Sequence, residues 1–123
     1  MRAIVVDRWM EPSELAPREM PEPEPRPGTL LVEVRAAGCN FFDILMVQGK
    51  YQVKPPFPFV PGAEVAGVVR AVGEGVKGFK KGDRVLASAG LGGFAEIAVV
   101  PAMAAWAMPD EMSFAEGAAL PII

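Results

Sequence analysis

Apolar residues along this chain change period several times, and each change marks an element. In "TLLVEVRAA", residues 29–37, Leu30, Val32 and Val34 point one way and Leu31, Glu33 and Arg35 the other. A period of two predicts a half-buried strand. "RAIVV" at 2–6, "AEVAGVVRAVG" at 63–73, "RVLASA" at 84–89 and "FAEIAVVP" at 94–101 predict further strands, bounded by turn residues. In "NFFDILMVQG", 40–49, the period shifts. Phe41, Phe42, Leu45 and Met46 fall on one helical face, with Asn40 suited to the N-cap, Asp43 to the first turn and Gly49 to the C-terminal stop. A helix of about two turns is expected. "AMAAWAMP", 102–109, has no clear period and reads as a bulge followed by a short extended piece.

The punctuation between these segments is dense. The chain has 123 residues with thirteen Gly and thirteen Pro, well above the ordinary usage of about 7% and 5%. Strong apolar segments lie between them, so they mark turns and not disorder. Six prolines fall within 11–27 and predict an extended edge or a loop. "VKPPFPFVPG", 53–62, predicts a rigid surface loop. The pattern describes a mainly β chain, a small partly open barrel with one or two short helices.

Ser113 and Glu116 form a capping-box pattern, so a second helix starts there. The chain then runs into the apolar "PII". We divide it into a barrel domain, 1–112, and residues 113–123 as the start of a helix leading to a further domain. The alternative is a short helix docked on the barrel.

Composition removes several chemistries. There is no His and one Cys, Cys39, so neither a Ser-His-Asp nor a Cys-His site can be built. Structural zinc sites ordinarily want four Cys or His. A net charge of −3 without a basic block argues against nucleic-acid binding. No apolar run approaches the ~20 residues of a membrane-spanning helix, and the short apolar stretch in "MRAIVVDRW" reads as a strand and not a signal peptide. A single Cys admits no internal disulfide, and a cytoplasmic location is expected. Gly73, Gly75 and Gly78 satisfy G-x-G-x-x-G, but "FKKGDRV" follows where a phosphate-binding helix would have to begin. We read these glycines as a turn.

The succession "VEVRAAGCNFFD", "GKY", "PFVPGAEVAGVVRAVGEGVKGFKKGDRV" and "GGFAEIAVVP" resembles the N-terminal catalytic domain of the medium-chain dehydrogenases/reductases. It is most similar to the zinc-independent quinone oxidoreductase branch. Pro61–Val68 together with "GDRV", 82–85, carry the specific part of the likeness. The resemblance implies a GroES-like partly open barrel joined to a Rossmann domain. It also implies reduction of a quinone or an α,β-unsaturated carbonyl, a homodimer, and NADPH or NADH held mainly by a domain outside this stretch. In the family's zinc alcohol dehydrogenases a Cys and a His hold catalytic zinc. Those positions fall here on Asn40 and Ala63, so no zinc is expected. Two other readings share the fold: a stand-alone GroES-like binding or assembly module, and half of an enoyl-thioester reductase.

The resemblance also nominates residues. Asn40, Asp43 and Tyr51 are the catalytic candidates, Asn40 and Phe41 the cofactor contacts, and Tyr51 with Glu64 the substrate cleft. Each has a plainer reading. Asn40 is a helix cap, Asp43 a first-turn acid, Tyr51 a packed ring and Glu64 a structural carboxylate. Phe41, Phe42, Phe57 and Phe59 can be core packing or a platform for a flat ring. Leu45 stands where some relatives have a second Tyr. Cys39 reads as a bystander, a small buried hydrophobe.

Overall fold

In the computed structural model, which describes residues 1–122, period-two segments become strands whose alternate residues enter two different clusters. Five form one antiparallel sheet: β3 (Thr29–Gly38), β4 (Glu64–Val72), β5 (Arg84–Ser88), β6 (Ile97–Pro101) and β7 (Ala105–Ala107), in the order β6-β3-β4-β5-β7. The N-terminal β1 (Arg2–Ile4) pairs with β2 (Pro17–Glu19) in a separate ribbon. The two helices are α1 (Phe41–Gln48) and α2 (Phe114–Ala118). β6 and β7 remain edges, and β5 approaches β6 without pairing, so the barrel stays partly open.

Val65 and Val69 of β4, Val85 and Ala87 of β5, and Leu30, Val32, Ala98 and Val100 build the interior cluster. The intervening Ala66 and Leu86 face the other way and meet Met108 and Ala118. This is the alternation expected of a sheet covered on both faces. It also brings α2 onto the outer face. Arg84 fixes the approach: its guanidinium donates to the carbonyls of Pro109 at 2.9 Å and Met112 at 2.6 Å, and lies 4.6 Å from the centre of the Phe114 ring. Ser113 caps α2, accepting from the Glu116 N–H, while Glu116 accepts from the Ser113 N–H. The sequence reading of 113–123 extends to Ile123, which lies outside the described residues; within them the helix docks on the sheet.

Three expectations need correction. Leu31 is buried although Leu30, Val32 and Val34 keep to the interior cluster, so at this point the opposite face of β3 is covered as well. The strand expected over 94–101 starts only at Ile97. In α1 the inward residues are Asp43, Met46 and Val47, and Phe41 points out with 73% of its surface exposed. Polar contacts at the helix start set this rotation, as shown below. The ambiguous 102–109 segment resolves into a 3-10 turn at Ala102–Ala104 followed by β7.

Core position should decide tolerance. Leu30 is fully buried and Met103 almost fully exposed. Leu30→Ala should lower unfolding free energy by about 3 kcal/mol, and Met103→Ala by less than about 0.5 kcal/mol, as read from urea denaturation midpoints.

Candidate functional site

β3 ends where β4 begins, and Gly38 and Glu64 are register partners at that end of the ribbon. Two residues beyond Gly38 the chain turns into α1 at Asn40. Three of the nominated residues are thereby brought together. The Asn40 N–H donates to Asp43 Oδ2 at 2.8 Å, one half of a capping box, and the Asn40 side chain faces the Asp43 N–H. The Asn40 carboxamide Nδ2 donates to Glu64 Oε1 at 3.0 Å. So Asn40 is the helix cap and also the polar link between α1 and β4.

Both carboxylates are buried, Asp43 at 5% exposure and Glu64 at 4%. Neither has an ion pair among the described residues, where every salt bridge uses a more exposed carboxylate. N–H groups stand in for a cation. Asp43 takes that of Asn40, and the nearby Gly62 N–H also favours its charged form. Glu64 takes the Asn40 amide and, through Oε2, the backbone N–H of Ile122 at 3.0 Å. Burial pushes the Asp43 carboxyl above the usual aspartate range; the two N–H bonds oppose that shift and the nearby Glu64 charge adds to it.

Two glycines make the arrangement possible. A Cβ on Gly38 would overlap the Glu64 carboxylate, so only glycine lets that side chain lie across β3. Gly62 holds φ +106°, and a Cβ there would sit 2.6 Å from the Phe94 nitrogen. Its close approach lets Phe94 donate to the Pro61 carbonyl at 2.9 Å and sets the Phe94 ring against α1.

These contacts form one side of a cleft of about 330 Å³, lined by Pro12, Leu15, Cys39, Asn40, Phe41, Asp43, Ile44, Val47 and Phe94. The wall is mostly apolar with an amide at its edge, a composition typical of small-molecule sites. Phe41 enters the wall by pointing away from the core. Cys39 is exposed, against the expectation of a buried hydrophobe, because the chain leaves the sheet at Gly38.

Tyr51 stands apart from the hydrogen-bonded group. Its ring lies 5.7 Å from that of Phe42, and both pack on the cluster of Val6, Met46, Val47 and Phe59. Phe57 and Phe59 stack on one another near Trp9, away from the cleft. Leu15, Ile44 and Phe94 were not singled out from the sequence. Phe94 follows "GLGG", a loop signal, but nothing in one sequence says that this loop folds over Gly62.

The Asp43 environment has a measurable sign. Its folded carboxyl holds a proton more tightly than the ordinary value of 3.8. Its contribution to stability is therefore full below that value and is lost as pH rises through the folded pKa. Carbon-detected NMR titration should place the Asp43 midpoint above 3.8; a midpoint at or below it contradicts the desolvated site.

Comparison with known proteins identifies the fold. Residues 26–110 match the family model described as the alcohol dehydrogenase GroES-like domain. The mouse synaptic vesicle membrane protein VAT-1 homolog-like is 39% identical over 122 residues, 99% of this chain and 29% of that protein. Human quinone oxidoreductase is 38% identical over 124 residues, 99% of this chain and 38% of the relative. The crystal structure of Escherichia coli quinone oxidoreductase complexed with NADPH superposes with a TM-score of 0.91 at 33% identity, over 98% of this chain and 37% of that one. This chain therefore spans well under half the length of these relatives. The matched stretch contains β3, the Asn40 cap, α1, the Gly62 approach and Glu64, and on that evidence the chain belongs to the alcohol dehydrogenase GroES-like domain family.

Proposed function

We propose that this chain is the substrate-side half of an NADPH-dependent quinone or enone reductase that works without zinc, with the nucleotide held chiefly by a second domain. The observation that carries the reading is the apolar cleft with the Asn40 carboxamide at its edge. A flat conjugated carbonyl suits such a wall, with Phe41 and Phe94 as its aromatic members. The names of the human and E. coli relatives support the same class of reaction.

The donor set here does not suit zinc. Asn40 supplies an amide where the zinc enzymes have a thiolate, and Ala63 supplies a methyl group where they have an imidazole. Glu64, the remaining candidate, already accepts two N–H bonds. Among the described residues no three His, Cys, Asp or Glu side chains group as metal ligands. The substrate carbonyl must then be one that accepts hydride without a Lewis acid. Quinones and enones qualify, because the charge that develops is delocalised.

Among the described residues the G-x-G-x-x-G stretch offers no cradle for the nucleotide's phosphates. Gly73, Gly75 and Gly78 lie in the turn between β4 and β5, where a strand and not a helix follows. When bound, a reduced nicotinamide supplies the hydride. This chain's part is to receive and orient. Asn40 Nδ2 has a second N–H beyond the one given to Glu64, and it can donate to the substrate oxygen as negative charge develops there. Leu15, Ile44 and Val47 exclude water from the wall they line. The resemblance assigns the Tyr51 phenol a role as a second donor.

The test is turnover in the protein as it occurs with its nucleotide-binding portion, using NADPH and a simple benzoquinone. Asn40→Ala should lower kcat/KM by about tenfold or more, and Tyr51→Phe by about threefold. Active preparations should contain no stoichiometric zinc by elemental analysis. Unchanged kinetics in Asn40→Ala, or one tightly held zinc per chain, contradicts the reading.

A further inference from the structure

We propose that Glu64 is a positioning residue that ties the segment following α2 to Asn40, so that the amide offered to the cleft is oriented from outside it. The catalytic consequence rests on the cleft reading above; the linkage rests on the hydrogen bonds alone.

Glu64 joins parts of the chain far apart in sequence. Oε1 accepts from Asn40 Nδ2, 24 residues away, and Oε2 accepts from the Ile122 N–H, 58 residues away, each at 3.0 Å. An ionised carboxylate only accepts hydrogen bonds. Asn40 must therefore present its NH₂ to Glu64, which settles which end of the amide faces which way. The carbonyl end is left toward the Asp43 N–H, and on this proposal the second N–H serves the cleft that Asn40 lines. The carboxylate is 4% exposed, so it has little access to water as a substitute partner. Withdrawing either N–H leaves a buried acceptor short of a donor, which is the expensive way to lose a hydrogen bond.

The outer end of the link is accessible. Leu120 and Ile122 keep 45% and 38% of their surface exposed, beyond the last turn of α2. α2 itself is anchored by Arg84 and by Ala118 against Leu86, so a shift of residues 119–122 need not unseat the helix. Such a shift removes the Ile122 N–H from Oε2. The carboxylate is then free to turn, and the Asn40 amide with it.

Two variants test this without emptying the site. Glu64→Gln keeps the shape but has one acceptor oxygen and one NH₂, so it cannot accept at both ends. Ile122→Pro deletes the remote N–H, and Ile122→Ala, which keeps that N–H, controls for the lost side chain. Nitrogen-15 NMR of the Asn40 carboxamide is the primary readout, with steady-state quinone reduction alongside. Both test variants should shift the Asn40 NH₂ resonances, although no hydrogen bond joins residue 122 to Asn40, and should lower the unfolding midpoint while the protein stays folded. In each, kcat should fall about tenfold, the loss expected for one charge-assisted hydrogen bond, with KM changed by less than about twofold. Asn40 resonances unmoved in Ile122→Pro would overturn the linkage, and so would a rise in KM with kcat unchanged. Shifted Asn40 resonances in a parent protein that reduces no quinone would sustain the linkage and overturn the function proposed above.

Discussion

Two carboxylates without a cation set the terms for this end of the barrel. Asp43 and Glu64 are buried at the junction of β3, α1 and β4, and each is satisfied by N–H donors alone. Isolated buried charge is costly unless its hydrogen bonds are complete. Completing them requires several parts of the chain at once: the α1 N-terminus at Asn40, the close turn at Gly62, the bare Cα of Gly38, and the backbone at Ile122. The rotation of α1 follows from this. Asp43 must face inward to reach its donors, which carries Met46 and Val47 into the core and leaves Phe41 and Ile44 lining the cleft.

The same constraint shapes the proposed chemistry. A thiolate at position 40 and an imidazole at position 63 would make this junction a metal site. An amide and a methyl group make it a hydrogen-bonding site, in which Glu64 holds the amide. Hydride acceptors that delocalise their own charge are then the fitting substrates. The apolar wall, with Phe41 and Phe94 on it, offers contact area but little hydrogen-bond readout. Such a cleft is expected to select for planarity and electrophilicity more than for a particular substituent.

Much of the fold was legible because its signals are local. Alternation in 29–37 and 63–73, the Asn40 and Gly49 boundaries of α1, and the Ser113–Glu116 box all predict elements seen in the structure. The failures lie where a tertiary contact overrides a local pattern. Phe41 looks like part of a helical core face until the capping demand of Asp43 turns it outward, while Phe42 stays packed on the Met46 cluster. Leu31 looks exposed by alternation, yet it is buried because the second face of β3 is covered too. For the site, Asn40, Asp43 and Glu64 were nominated from family resemblance, and the structure draws them into one network. Phe94 and the Ile122 N–H are contributions from distant loop backbone, which carry no sequence signature in a single chain.

The central claim is that the cleft at the start of α1 receives a conjugated carbonyl, with Asn40 as the polar contact. Chemical-shift mapping during titration with a benzoquinone is the most direct measurement. The account predicts saturable shifts at the Asn40 side-chain amide and at Leu15, Phe41, Ile44 and Phe94, with the Trp9–Phe57 surface unmoved. Shifts confined to Trp9 and Phe57, or no saturable shift at Asn40, would contradict it.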